Sequence, residues 1–175
     1  MKLRIKNTDL TIKLFGWLQI IGGIIGIGVV SWLTMNIGEV NGAILLIILF
    51  GYFLFSYSIY SGIKLLNSET LKLGLVLSII NFCFQVIQFK ILGYGLTYTI
   101  GTAFSIGYEI DKLKFNFEII SSQFYMSLAT TDGEFKFMLN IMAIFFLVVL
   151  FDIWDEVTSE QGEVELDTLE PTTEE

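Results

Sequence analysis

Histidine is absent from the 175 residues, cysteine and proline occur once each, and charged residues make up only 16% of the chain. Soluble domains carry about 25%. Each shortage excludes something. Without histidine there is no Ser-His-Asp or Cys-His catalysis, no imidazole-ligated zinc or haem, and no imidazole switch near neutral pH. A lone cysteine, Cys83, excludes an internal disulfide, a CxxC pair and a thiolate-rich metal site. There is no GxGxxG, P-loop or HExxH, so neither a cofactor nor a metal is expected. Basic residues are too few to form a stripe that would neutralise phosphates, which argues against nucleic acid.

The charge that is present is unevenly placed. The net charge is −8, but from Asp152 onward the chain holds ten acids and no base. The remaining 10 basic and 8 acidic residues give the body a net of +2. Residues 155–175 therefore read as an acidic, disordered, cytoplasmic tail, either purely solvated or a docking segment for a basic partner.

Apolar residues fill the space that charge leaves: the hydrophobic fraction is 54% and the mean hydropathy +0.70. Uncharged runs cover Leu14–Gly38, Val40–Ile63, Leu73–Phe89 and Phe137–Phe151. A bilayer core about 30 Å thick needs about 20 apolar helical residues. The runs predict four spans at about 14–35, 42–63, 72–90 and 136–154, in a membrane domain of residues 1–154. The first run is too long for a signal-peptide h-region and has no small-x-small site after it, so it is expected to remain as a span. Lys2, Arg4, Lys6 and Lys13 precede the first span, Lys64 and Lys72 follow the second, and none lies between. By the positive-inside rule both termini are expected in the cytoplasm of a multi-pass cell-membrane protein.

Between the third and fourth spans the periodicity changes. Tyr94, Leu96, Tyr98, Ile100, Phe104, Ile106, Tyr108 and Ile110 alternate with small or polar residues, the period of two of a strand. Asp111-Lys112 reads as a turn, residues 113–119 as a returning strand, 124–128 as a third, and Thr131-Asp132-Gly133 as a second turn. The competing reading makes 91–108 a fifth span, against which stand four glycines, three threonines and the alternation. Open sheet edges cannot face lipid, so the β excursion, about 94–130, is expected on the outer surface. Its Tyr- and Phe-rich face would rest on helix ends, headgroups or a partner. The resulting expectation is an all-α polytopic membrane protein, four transmembrane helices with a small extracytoplasmic antiparallel β excursion between helices 3 and 4.

Within the spans, Gly74, Ser78, Asn81, Gln85 and Gln88 recur at spacings of 4, 3, 4 and 3, one face of a helix. Amides in hydrocarbon are costly unless bonded, so this seam must meet protein or water. Interhelical hydrogen bonding is the plainer reading and a polar path the functional one. Gly16, Gln19, Gly23 and Gly26 offer a matching face, Gly22 and Gly26 form a small-xxx-small pair, and Gln19 and Gln85 are candidates to bond across the contact. Gly51, Ser58 and Gly62 suit packing in the second span. Glu109, Asp111 and Glu118 read as scattered, solvent-facing acids, and Cys83 as an inert buried thiol. No acid or base lies deep in a span, which argues against an ion-coupled transporter. The expected role is a non-enzymatic structural or accessory subunit of a membrane complex, partnered by lipid and by another membrane protein or a second copy. A passive channel lined by Gln, Asn and Ser is the alternative.

Overall fold

The structure, a computed structural model, describes residues 7–128 and 135–169, with side chains as far as Ser159. The turn expected at Thr131-Asp132-Gly133 lies outside the described residues. Helix α1 spans Thr8–Met35 and α2 spans Gly42–Leu66. A 3-10 turn, Ser68–Thr70, leads into α3, Leu71–Val86. Strands β1 (Ile87–Ile91), β2 (Tyr94–Glu109), β3 (Lys114–Ser127) and β4 (Phe135–Asn140) follow, and α4 covers Ile141–Leu169. Asparagines mark several starts. Asn7 accepts from Leu10 N (3.3 Å) and Asn41 from Ile44 N (2.9 Å), while Asn140 accepts from Ala143 N at the head of α4 (3.2 Å). Each satisfies a donor that the first helical turn leaves open.

Among the described residues, three helices are long and apolar enough to cross a membrane: Thr8–Met35, Gly42–Leu66 and the run Ser68–Val86. The four-span, all-α reading is therefore corrected. The third span was expected to reach residue 90, but the chain leaves the helix after Val86, where Ile87, Phe89 and Ile91 alternate with Gln88 and Lys90 in β1. Residues 136–140 of the expected fourth span are strand β4, in which Phe135, Phe137 and Leu139 alternate with Lys136, Met138 and Asn140. Only Ile141–Phe151 of α4 is uncharged, about 16 Å at 1.5 Å per residue, half a bilayer core. The backbone continues helical through Asp155 to Leu169, where composition had suggested disorder. The one proline, Pro171, lies beyond that stretch, and Thr158 and Ser159 bond back to the carbonyls of Trp154 and Asp155. A fifth span over 91–108 is excluded, since those residues form β1, a turn and β2.

Nor is the β region a small excursion. It is a four-stranded antiparallel sheet of order β1-β4-β2-β3, with β1 also pairing β2. Residues 124–127 continue β3 rather than forming a separate strand. β1 pairs residues 94–96 along one edge and β4 along the other, and β4 in turn pairs residues 105–109 of β2. Such a ring closes only if β2 folds back on itself. Thr99 and Ser105 would lie about 20 Å apart in a straight strand. Yet Gln88 Nε2 donates to both hydroxyls, at 3.4 and 3.2 Å. The bend falls at the register shift between Thr99 and Thr102, where Gly101 has φ +67°, a conformation that disfavours any side chain. β3, paired with both limbs of β2, bends with it. Four strands thus make a small barrel of six segments.

Of the three resting places expected for the β layer, helix ends, headgroups or a partner, the helix ends are not the one taken: the barrel lies beside the helices. Thr8 Oγ1 donates to Glu156 Oε2 (2.9 Å), which sets the start of α1 level with that turn of α4. Fifteen residues back along α4, about 22 Å, is Ile141; fifteen residues along α1 is Gly23. The junction of α4 and β4 therefore lies beside the middle of α1. The barrel occupies the space next to the second half of α1 and the first half of α2. At the bend Ser122 Oγ donates to Gly22 O (3.4 Å) and accepts from Gly101 N (2.9 Å). Higher up, Phe124 packs with Phe50 and Phe55, ring centroids 6.4 Å apart in both cases. The helical half is closed by Phe15, Phe82 and Phe146, whose centroids lie 5.1 to 6.0 Å apart.

Candidate functional site

The polar residues singled out in the sequence meet at the joint between the two halves. Gln19, on α1, is fully buried. Its Nε2 donates to Ser78 Oγ (2.8 Å) and, at 3.4 Å, to Phe15 O; its Oε1 accepts from Asn81 Nδ2 (2.9 Å) and from Ser61 Oγ. All four hydrogen-bonding positions of that amide are used. Ser58 Oγ donates to the Gln19 carbonyl (2.9 Å), so one residue ties α1 to both α2 and α3. Ser78 also donates to Gly74 O (2.7 Å).

One turn further along α3, the same face meets the barrel. Tyr98 OH donates to Asn81 Oδ1 (2.9 Å) and also lies 3.0 Å from Leu54 O in the middle of α2. Gln85 Nε2 donates to Asn81 O (3.2 Å), and its Oε1 accepts from Ile100 N (3.0 Å). The bulge leaves that amide without a strand partner, and a helix side chain takes it. Gln85 does not reach Gln19; their expected bond is replaced by these two. Gln88 is also not on the helical face, because the helix has ended. It lies in β1 and points to the floor of the barrel.

The glycines divide by neighbour. A Cβ on Gly23 would lie 2.9 Å from Phe55 O, and one on Gly26 would enter the Phe55 ring at 2.0 Å; one on Gly16 would meet Leu66 at 2.6 Å. These three therefore admit α2. Gly22 instead faces the barrel, 2.8 Å from Gly101 N, and Gly74 faces the end of α2, 2.4 Å from the Leu65 backbone. The small-xxx-small pair Gly22 and Gly26 thus serves two different contacts.

Sequence reasoning missed the barrel interior. A pocket of about 240 Å³ is lined by β1, β4, the first limb of β2 and both limbs of β3. It contains Gln88, Lys90, Thr97, Glu118, Gln123 and Lys136. Lys136 pairs with Glu118 across it, and Lys90 Nζ sits 5.9 Å from the centre of the Tyr125 ring. The acids expected to be scattered in solvent are engaged: besides Glu118, Glu109 bonds Lys112 (2.6 Å) and Asn116 (3.2 Å), and Asp111 accepts from Phe135 N. Lys112 and then Asn116 hold the Glu109 carboxyl below its usual range. The signal for this interior was present as the polar phase of each alternation, Gln88/Lys90 and Lys136/Asn140, in runs short enough to be absorbed into neighbouring helices. Cys83 is exposed on the outer face of α3 rather than buried.

No protein-family profile, curated protein or solved structure matches this chain.

Proposed function

We propose that the protein is a non-enzymatic structural or accessory subunit of a membrane complex, lodged in the cell membrane with both termini in the cytoplasm. The observation that carries this reading is the saturation of the polar seam. Gln19, Asn81 and Gln85 bond Ser61, Ser78, Tyr98 and the Ile100 amide, so these groups hold elements together instead of facing a substrate. Support for the orientation comes from Lys13, Lys64 and Lys72 at the helical end, and from the contact that sets Glu156 level with Thr8. The barrel mouth would then present Lys90 and Tyr125 to a partner on the outer side, and the acidic end of the chain would be available to a basic cytoplasmic one.

The permeation reading draws on a different observation: Gln88, at the lumen floor, adjoins the seam that runs on to Gln19. One experiment separates the two. Protein purified from its native membrane in mild detergent is examined for a stoichiometric partner and then reconstituted in liposomes for solute flux. The subunit reading expects a partner and flux no higher than in empty liposomes. Flux that Gln88→Leu abolishes, with no partner present, would replace it by the channel.

A further inference from the structure

We infer that the barrel lies inside the bilayer, with its outer wall against the acyl chains of one leaflet. Three observations lead there independently of any partner. The first is depth. The bend of β2 and β3 touches Gly22, and Gly22 lies near the centre of the uncharged run Leu14–Gly38. From that level the barrel rises beside α1 as far as Leu33, Thr34 and Ile37, which share an apolar pocket with Phe124, Tyr125 and Met126. The helix surfaces at that height carry exposed Ile25, Trp32, Leu45 and Leu49. A water-filled surroundings for the barrel would wet those side chains as well.

The second is which phase of each strand faces out. Phe115, Phe117 and Ile119 are 68, 67 and 80% exposed, and Phe104, Phe137 and Leu139 are exposed too. The register makes them one patch: Phe104 opposes Ile119, Ile106 opposes both Phe117 and Leu139, and Tyr108 opposes both Phe115 and Phe137. The other phase, Ala103, Ser105, Gly107 and Glu109, is buried, and Glu118 and Lys136 pair inside. An apolar outside around an interior that holds Gln88, Gln123 and the Glu118–Lys136 pair beside Ile120, Tyr125 and Met138 is the arrangement of a barrel in lipid rather than in water.

The third is height. From Ile119 to Phe115 the apolar band runs about 13 Å along β3, within the ~15 Å of one leaflet. Asp111, Lys112 and Lys114 stand immediately beyond it, at the hairpin tip. Hydrocarbon tolerates strands only when their backbone groups are paired. The ring β1–β4–β2–β1 provides this for three strands, and β3, paired on its β2 side, folds at the bend so that the outer edges of its two limbs turn toward each other rather than toward lipid.

Site-directed spin labelling in phosphatidylcholine–phosphatidylglycerol vesicles tests this on the full chain. In a Cys83→Ala background a nitroxide is placed at Phe117, and separately at Ile119 and Phe137, so that one poorly inserting variant does not decide the matter. Labels at Ile25 and Lys112 are the lipid and water references. Collisions with oxygen should exceed those with a neutral nickel chelate on the barrel wall to the degree seen at Ile25, with the opposite ratio at Lys112. A nickel-dominated ratio at 117 and 119 would put the wall in water. Low collision rates with both reagents would mean that protein covers it. Either result overturns the inference.

Discussion

In the helical half, backbone polar groups away from the helix ends are satisfied within their own helix, so side-chain packing decides which residues turn inward. In the barrel half those groups are satisfied between strands, so closure has to come first and the side chains follow the phase it imposes. The two halves nevertheless arrive at the same section: an apolar exterior and an interior tied by polar contacts, through Gln19, Ser78 and Asn81 in one and Gln88, Glu118 and Lys136 in the other. The comparison teaches that, with the barrel placed in the bilayer as inferred above, α3 and α4 each cover part of the depth and hand over to strands beside the middle of α1, although α3 with its leading turn is long and apolar enough to cross a membrane.

The largest effect separates the two ends of the molecule. In a Cys83→Ala background, a cysteine replacing Lys112 at the barrel tip should react with a membrane-impermeant maleimide on intact cells, and one replacing Ser159 should react only after lysis. Labelling at 159 in intact cells would set the two ends on the same side and break the proposed topology.

Glycine substitutions come next. Gly74→Ala places a Cβ 2.4 Å from the Leu65 backbone, and Gly107→Ala places one 2.4 Å from Phe137 O. Neither neighbour can rotate away, so each should cost about 2–3 kcal/mol in reversible unfolding in bicelles. Gly28, with nothing within 4 Å, should accept alanine and gain up to about 1 kcal/mol from helix propensity. Equal results at 74 and 28 would mean that α2 and α3 do not approach so closely.

Gln85→Leu should cost on the order of 1 kcal/mol by the same assay, because the Ile100 amide loses its acceptor. The smallest effect belongs to the tip. Lys112 and Asn116 lower the folded-state pKa of Glu109. Its contribution is therefore present above the ordinary glutamate pKa and is lost as pH falls through the folded value. Thermal unfolding followed from pH 6 downward should show a slight loss of stability in acid that Glu109→Gln removes. An unchanged acid profile in the variant would assign the loss elsewhere.

Much of the helical half was legible in the sequence, since 25 uncharged residues around Gly26 have few fates and the 4, 3 spacing of Gly74, Ser78, Asn81 and Gln85 placed them on one face. The strand character of residues 94–109 and 114–119 was also legible, because the alternation runs for many residues, but their membership of a four-stranded sheet rather than a small hairpin excursion was not. What the sequence hid was where helix gives way to strand. In Gln85–Ile91 and Phe135–Ile141 each short alternating run adjoins a long apolar helix, and five or six residues of period two are swamped by the hydropathy beside them. The phase of the barrel was hidden for another reason. Alternation states that two faces differ, but which one is interior depends on the solvent outside. A layer imagined in water puts Phe115 and Phe117 inward, and the register puts them out.

The polar seam as the joint between helices and barrel is the centre of this account, and a double-mutant cycle on Asn81 and Tyr98 tests it most directly. Tyr98→Phe removes the hydroxyl that meets Asn81 Oδ1 and Leu54 O, and Asn81→Ala removes its partner on α3. Unfolding free energies of the two single variants and the double variant in bicelles should show a coupling of about 0.6–1.7 kcal/mol, the range for hydrogen bonds between membrane segments. Strict additivity of the two substitutions would contradict the account, leaving helices and barrel in contact but not joined by the seam.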